Sequence, residues 1–225
     1  MEKVEITKSI LDFLEDKKGL YTDLELSFIK SYFHSDNYSF AECDEGLREL
    51  LDVVDLLPKE DNIYDYFTDF ITDRYDINNK EIIEVGGGVF ARLAKRLSLK
   101  QSNGLVTVYD PRLDPTMEST DRLVLKKERF SVDTEIGKTD LLVGLMPCEG
   151  ANSLVTQAVR KKRDFILWLC EGGPHGDYFD YFECEEEWMD SLMYFADQDL
   201  RNYGKRLIKI KKDKFSPYPI ITNVE

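Results

Sequence analysis

The sequence IIEVGGGVFARL, residues 82–93, decides the fold of this chain. An apolar run, typical of a buried strand, leads into three consecutive glycines and then into an amphipathic segment. A strand that ends in glycines before a helix presents bare backbone N–H groups and the positive helix end at the carboxyl edge of a sheet. Open α/β sheets bind ligands at this edge. The stretch therefore predicts a ligand-binding turn, with a tight turn that holds no ligand as the alternative.

The sequence from Lys80 onwards has the pattern of an α/β domain. Short apolar and β-branched runs alternate with amphipathic segments, which predicts a Rossmann-like, mostly parallel sheet of about seven strands. The last two strands are too close in sequence for a crossover helix, so a C-terminal antiparallel hairpin is expected. The helix around 185–203 is expected to bury Trp188, Leu192 and Phe195. The predicted strands are 81–85, 105–109, 129–132, 140–146, 165–170, 206–210 and 218–223.

The N-terminal third of the chain follows another pattern. In residues 1–76 the apolar positions recur at helical spacing, which predicts a subdomain of four short helices. Its expected role is a lid over the ligand or a homodimer face. The Rossmann-like domain is assigned to residues 77–225. Within it, the segment between Asp110 and Asp140 is short for two crossover helices, so an irregular loop around PRLDPTMEST, residues 111–120, is expected to replace one.

The composition limits the possible functions. The 225 residues carry a formal net charge of −14, and the only basic clusters are RKKR, residues 160–163, and GKRLIKIKKDK, residues 204–214. Neither cluster is interleaved with aromatic residues that could stack on bases, so a nucleic-acid partner is disfavoured. No apolar run is long enough for a membrane span, and the first residues lack a signal-peptide core, which predicts a cytoplasmic protein without a membrane partner. The four cysteines have no CxxC spacing, so neither a disulfide framework nor a metal site is expected.

An acidic residue completes a minimal nucleoside pocket. Asp110 ends the second predicted strand, 24 residues after Gly86, where a carboxylate can accept hydrogen bonds from both ribose hydroxyls. Two ligand classes use such a pocket. Gly86, Gly88 and Ala91 satisfy the G-x-G-x-x-A fingerprint for NAD. Glu84 instead favours a ligand with a cation, such as the ammonium of a methionine moiety, because a carboxylate in a buried strand is costly without a partner.

With Glu84 two places before the glycines, IIEVGGG resembles motif I of the class I S-adenosylmethionine-dependent methyltransferases. The resemblance extends over residues 80–225. It implies that S-adenosylmethionine is the cofactor and that Glu84 lies near its amino acid part. Where the family often has a third glycine, this chain has Phe90, which would either crowd the pocket or pack the helix against the sheet. The residues of the turn that would contact the cofactor are Gly86, Gly87 and Gly88.

Three later segments resemble the other motifs of the same family. VYD, residues 108–110, is similar to the second motif and implies that Asp110 binds the ribose. FSVD, residues 130–133, is similar to the third and implies that Asp133 meets the adenine amine. TDLLVGLMPCEG, residues 139–150, resembles the fourth, whose strand end, here at Met146, would lie beside the transferable methyl group.

The tripeptide CEG occurs twice, at 148–150 and 170–172, each time after a predicted strand. If the two strands are neighbours, both copies face one cleft. Glu149 and Glu171 are then candidates for a general base or for binding the methyl acceptor, with capping of the next helix and loop as the alternative. His175, in the loop-like 172–183, is a third catalytic candidate because it titrates near neutral pH.

The cysteines of these tripeptides have two interpretations. Cys148 and Cys170 are expected to be small buried side chains that fill space. The alternative is that Pro147 and Cys148 resemble the Pro-Cys pair that supplies the nucleophile in cytosine C5 methyltransferases. The acidic composition argues against a nucleic-acid substrate and so against this alternative.

The residues and the resemblance lead to two functional hypotheses. The first is an S-adenosylmethionine-dependent methyltransferase that acts on a small molecule or a protein side chain. The second is a non-catalytic Rossmann-like module that binds a nucleoside-containing ligand or NAD(P). No motif identifies the methyl acceptor.

Overall fold

The computed structural model describes residues 62–170, 182, 184–210 and 218–225. Almost all of them belong to one compact unit, Ile63–Glu225. The predicted domain boundary at residue 77 lies inside this unit, and only the last of the four N-terminal helices, Ile63–Thr72, is within the described residues. Among these residues, none of the helices combines the length and the apolar character that crossing a bilayer requires.

The described part of the chain contains four helices and seven strands. Their order follows the alternation predicted from the sequence. The elements are α1 Ile63–Thr72, β1 Lys80–Val85, α2 Arg92–Lys100, β2 Gly104–Tyr109, β3 Leu123–Lys126, β4 Leu141–Leu145, α3 Gly150–Arg160, β5 Asp164–Trp168, α4 Glu185–Arg201, β6 Ile208–Ile210 and β7 Ile220–Thr222.

The seven strands form one sheet in the order β3-β2-β1-β4-β5-β7-β6. The first five strands are parallel, whereas β7 pairs antiparallel with both β5 and β6. The α/β Rossmann-like class and the antiparallel C-terminal pair are therefore confirmed. The chain order reverses between β1 and β4, and ligands of open α/β sheets bind at this kind of switch point. The glycine turn directly follows β1.

Buried side chains cover both faces of the sheet, which is why the buried parts of the central strands are mostly apolar, with Glu84 of β1 as the exception. On one face, α1 and α2 contribute Phe67 and Leu93 to a buried cluster. On the other face, α3 and α4 contribute Leu154 and Trp188. The carboxyl ends of β1, β2 and β4 remain at the edge between these two layers, where the loops meet.

The third strand differs from the prediction. It is Leu123–Lys126, which pairs in parallel with β2, whereas the predicted strand 129–132 lies in a loop. Phe130 is buried in this loop because its ring packs against that of Tyr109, with ring centroids 5.3 Å apart. Ser131 and Thr134 hydrogen-bond each other's backbone and side chain and turn the chain there. Neither connection around β3 contains a helix, so irregular loops replace two crossover helices and not one.

The buried face of α4 also differs from the prediction in one residue. Trp188 and Leu192 are buried as expected, but Phe195 is 67% exposed and Ala196 is buried. The buried residues of α4 extend around the helix from Trp188 through Leu192 and Ala196 to Met189, Leu200 and Met193, and Phe195 lies just outside this face, beyond Trp188.

Alanine substitutions in α4 test which of its residues are buried. We expect Leu192→Ala to lower the free energy of unfolding by about 2–5 kcal/mol, because it leaves a cavity in the core, and Phe195→Ala to change it by at most about 0.5 kcal/mol. Urea unfolding followed by far-UV circular dichroism gives both values. A loss for Phe195→Ala as large as that for Leu192→Ala would contradict the assignment of the buried face.

Candidate functional site

The first glycine of the turn is required by close packing. Gly86 has φ +75°, and its N–H donates to the carbonyl of Tyr109 over 2.9 Å. A Cβ atom on Gly86 would lie 2.7 Å from the Cβ of Pro147, which is closer than real side chains approach. The turn after β1 therefore touches the turn after β4, and this contact leaves no room for any side chain.

The other two glycines have different surroundings. A Cβ on Gly87 would lie 2.5 Å from Cγ1 of Val108 and 3.2 Å from Oε2 of Glu84, so this residue faces the interior. Gly88, with φ +68°, has no atom within 4 Å of its missing Cβ. The backbone at Gly88 is therefore open, as a turn that holds a ligand against its main chain requires.

Asp110 is bound directly to this turn. The Gly88 N–H donates to Oδ2 of Asp110 over 2.8 Å, and the Arg112 N–H donates to Oδ1 over 2.7 Å. The Arg112 guanidinium donates to both oxygens, from Nε and Nη2, over 3.2 Å each. Burial raises the pKa of Asp110, but the hydrogen bonds from Arg112 and Gly88 outweigh it and hold the pKa below the usual range. Asp110 is thus an ionised carboxylate.

The four hydrogen bonds fill the acceptor capacity of Asp110, since a carboxylate offers about four lone-pair positions. Two of the donors are backbone amides, which are fixed. The other two belong to the Arg112 side chain, which is 71% exposed, whereas that of Asp110 is 2% exposed. A ribose that binds Asp110 must therefore displace the guanidinium, and the exposed Arg112 side chain can leave without breaking the fold.

A cleft of about 450 Å³ opens beside these groups. Its volume is within the usual range for small-molecule sites. Carboxylates and guanidinium groups alternate around it. The lining residues are Val85, Gly86, Tyr109, Asp110, Pro111, Arg112, Arg129, Phe130, Pro147, Cys148, Glu149 and Gly150.

Glu84 lies beneath the turn and does not line the cleft. It is 1% exposed, and its Oε2 accepts the N–H of Ala94 over 2.9 Å. Ala91, at the start of α2, provides no side-chain cap, so Glu84 satisfies a backbone donor that the helix leaves unpaired. Burial raises the pKa of Glu84 to about 8, with the Ala94 N–H opposing the shift and the charge of Asp110 adding to it.

Glu149 lines the cleft and pairs with Arg129, with 2.8 Å between Oε2 and Nη1. It precedes α3 without capping it through its side chain, so the ion pair is the interaction observed. Glu171 and His175 lie outside the described residues.

Asp133 and Met146 do not line the cleft. Asp133 is exposed, and its backbone N–H donates to the Ser131 hydroxyl over 3.2 Å. Met146 has φ +51°, and its N–H donates to the carbonyl of Trp168 over 2.9 Å, which extends the pairing of β4 with β5. Phe90 does not line the cleft either, so it does not block the space between the turn and Asp110.

The two CEG cysteines lie side by side, as the neighbouring strands predict. Their Sγ atoms are 3.4 Å apart, with the Cys170 thiol donating to Cys148. This hydrogen bond and burial raise the pKa of Cys148 well above that of an ordinary thiol. A protonated Cys148 is a poor nucleophile, which weakens the comparison with cytosine C5 methyltransferases.

Sequence reasoning missed both arginines of the cleft. Arg112 was detectable, because a basic residue two places after a strand-end acid can fold back on it in a turn. Arg129 gave no such signal, since the irregular loop after β3 positions it beside Glu149. In the described ranges, no three His, Cys, Asp or Glu side chains are grouped as metal ligands would be.

Alanine substitutions at Gly86 and Gly88 separate two causes of lost stability, the close contact with Pro147 and the left-handed backbone conformation. We expect Gly86→Ala to lower the free energy of unfolding by roughly 3 kcal/mol or more, through the contact with Pro147 added to the left-handed conformation. Gly88→Ala, the matched control, should cost only about 1–2 kcal/mol, because its Cβ meets open space. Equal losses in urea unfolding would show that the close approach of the two turns is absent.

Glu84→Gln tests the buried carboxyl. The pKa of about 8 in the folded protein exceeds the ordinary glutamate value of 4.5, so the folded state binds the extra proton and stability is lost as pH rises through this interval. The penalty in wild type reaches about 5 kcal/mol at most, at about 1.4 kcal/mol per pKa unit. Glutamine keeps an acceptor for Ala94, so the variant should gain stability over wild type as pH rises from about 5 to about 9.

The measurement is urea unfolding of both proteins across this pH interval. The control is Glu118→Gln, which neutralises an exposed glutamate and should track the wild type. If the unfolding free energy of Glu84→Gln changed with pH in parallel with that of the wild type, Glu84 would be ionised in the folded protein over this whole pH interval.

No protein-family model and no curated protein matches the sequence. Similar solved structures include magnesium protoporphyrin IX methyltransferase from Synechocystis PCC 6803 with bound S-adenosylmethionine, at 12% identity over 100% of this chain and 98% of that chain, with a TM-score of 0.48. Precorrin-6y C5,15-methyltransferase from Geobacter metallireducens GS-15 is similar at 10% identity over 70% of this chain and 85% of that chain, with a TM-score of 0.42.

Human N-acetylserotonin methyltransferase in complex with S-adenosylmethionine is similar at 14% identity over 80% of this chain, with a TM-score of 0.45, and this chain spans 55% of its length. The fold assignment rests on the strand order and the antiparallel β7, not on these similarities. The chain has the Rossmann-like fold of the class I S-adenosylmethionine-dependent methyltransferases.

Proposed function

We propose that this chain is an S-adenosylmethionine-dependent methyltransferase that acts on a small molecule or a protein side chain. One observation carries the proposal. Asp110, at the end of β2, is hydrogen-bonded to Gly88 of the turn after β1, and a cleft of about 450 Å³ lies beside them at the switch point of the sheet. A strand-end carboxylate joined to a glycine turn suits the ribose of a nucleoside cofactor.

The residues of the cleft fit such a cofactor. The ribose hydroxyls would take the positions at Asp110 that the Arg112 guanidinium occupies. Gly88 has open space around it but does not line the cleft, so its contact with the cofactor remains a prediction from the family resemblance. Gly86 lines the cleft, whereas Gly87 supports the turn from inside. The contacts of Asp133 with the adenine and of Met146 with the methyl end remain predictions from the family resemblance.

Glu84 would act on the cofactor from a distance. It holds the start of α2 beneath the turn and is mostly protonated at neutral pH, since its pKa is about 8. A cationic ligand above the turn would favour its ionised form, because opposite charges attract strongly in a buried environment. Glu84 is therefore a positioning residue for the turn and an electrostatic partner for a positive ligand.

When bound, the cofactor supplies a methyl group activated by a positively charged sulfur. The chain has to hold the acceptor in line with that group and exclude water. Such positioning can lower the activation barrier by about 7–11 kcal/mol. Glu149 is the described residue best placed to receive a proton from the acceptor, because its carboxylate lines the cleft and Arg129 holds it in place. Glu171 and His175 remain further candidates for this role.

A second function is favoured by a specific observation. In dinucleotide-binding domains a strand-end acid binds the ribose 2′-OH of NAD, whereas a nearby arginine accommodates the 2′-phosphate of NADP, and this chain has Asp110 and Arg112 at that position. Glu84 is also buried, away from the cleft where the methionine ammonium would need it. The alternative is thus a non-catalytic module that binds NAD(P) or another nucleoside-containing ligand.

Calorimetric titration separates the two functions. Purified protein is titrated with S-adenosylmethionine, S-adenosylhomocysteine, NAD and NADPH, and we expect measurable binding of the first two only. Asp110→Asn, which preserves size, should weaken the binding of S-adenosylhomocysteine about 5- to 150-fold, the equivalent of roughly 1–3 kcal/mol for lost charged hydrogen bonds. The matched control is Asp121→Asn at an exposed position.

Tighter binding of NADPH than of S-adenosylhomocysteine would reverse the ranking. An Asp110→Asn variant with unchanged affinity would remove Asp110 from the site. Binding of S-adenosylmethionine without release of S-adenosylhomocysteine, in the presence of varied amine, hydroxyl and protein acceptors, would favour the non-catalytic module.

A further inference from the structure

Two thiols meet where β4 and β5 end. The strands are parallel neighbours with Leu145 opposite Trp168, and Cys148 and Cys170 follow within three residues of this pair. The Cys170 thiol donates a hydrogen bond to the Cys148 sulfur, and the two Sγ atoms are 3.4 Å apart. Nothing lies between two sulfur atoms at this distance, since they are in direct contact.

The pair is accessible from one side. Cys148 is half-buried and lines the cleft, whereas Cys170 is 7% exposed. A reagent that enters the cleft therefore reaches Cys148 first and finds Cys170 directly behind it. The exposed Cys184 lacks this arrangement and provides an internal comparison.

We propose that Cys148 and Cys170 form a reversible intrachain disulfide, with a peroxide or a low-molecular-weight disulfide as the oxidant. With glutathione disulfide, the Cys148 thiolate attacks one sulfur and displaces one glutathione thiolate. Cys170 then attacks the Cys148 sulfur and displaces the second glutathione. The two cysteines lose two protons and two electrons, and the oxidant takes up both electrons and is released as two glutathione thiols.

The geometry of the pair suits this bond. The two sulfur atoms are already in van der Waals contact, 3.4 Å apart, at the ends of two neighbouring parallel strands. Bond formation requires the sulfur atoms to approach by roughly 1.4 Å. The raised pKa of Cys148 makes its first attack slow at neutral pH, so the reaction is expected to become faster as the pH is raised.

Peptide mapping of the oxidised protein tests the proposal. Trypsin leaves Cys170 and Cys184 on one peptide, residues 164–201, so the protein used is Cys184→Ser. After treatment with glutathione disulfide and blocking of remaining thiols, we expect a single linked pair of the peptides 139–160 and 164–201. Intact mass should fall by two hydrogen atoms, and dithiothreitol should reverse the change. Peptide 31–48, which carries Cys43, should be fully blocked.

Two controls make the assignment specific. Cys148→Ser in the Cys184→Ser background should lose the linked pair while retaining the circular dichroism spectrum of the parent. Non-reducing electrophoresis should show a monomeric band. Linkage of Cys43 to either cysteine, or disulfide-linked dimers, would overturn the proposal. It would also be overturned if Cys148 kept a stable glutathione adduct without linkage, or if Cys148 and Cys170 were both still reduced, and so both blocked, after prolonged oxidation.

Discussion

The hydrogen bond between the Gly88 N–H and the Asp110 carboxylate connects the two ends of the candidate site, over 2.8 Å. It joins the turn after β1 to the end of β2. It thereby holds Gly88, which has a left-handed backbone conformation, against the ionised carboxylate of Asp110. The packing of Gly86 against Pro147 adds the third strand end, that of β4. The cleft is the space that remains among these three loops, so its shape depends on these two contacts.

Two carboxyl groups near the turn have opposite properties because their surroundings differ. Asp110 accepts hydrogen bonds from Arg112 and Gly88, and its pKa is lowered. Glu84 is deeper, accepts one N–H from α2, and has a pKa of about 8. The charge of Asp110 contributes to the raised pKa of Glu84, so the two groups are coupled. A ligand that brings positive charge would shift Glu84 towards its ionised form, which links ligand charge to the stability of the turn.

The fold could be predicted where the sequence has a strong local pattern. β1, β2, β4 and β5 are apolar because both faces of the sheet are covered. β3 was misplaced although LVLK, residues 123–126, is the more apolar of the two segments, because Phe130 was interpreted as a strand residue and instead packs on Tyr109 from a loop. Phe195 was assigned to the core because it follows Trp188 and Leu192 at helical spacing, but the buried face of α4 is centred further round the helix, which leaves Phe195 exposed at its edge.

The site was predictable in part for a comparable reason. The proximity of Asp110 to the glycines follows from the rule that parallel strands end at one edge. The burial of Glu84 depends on where α2 begins, which the residue types do not reveal. The pairing of Arg112 with Asp110 follows from their spacing of two residues and was detectable in the sequence. The most direct test is a crystal structure of the protein with S-adenosylhomocysteine. We predict ribose hydroxyls bonded to Asp110 with the Arg112 guanidinium displaced; an intact Asp110–Arg112 pair with the ligand elsewhere would contradict the account.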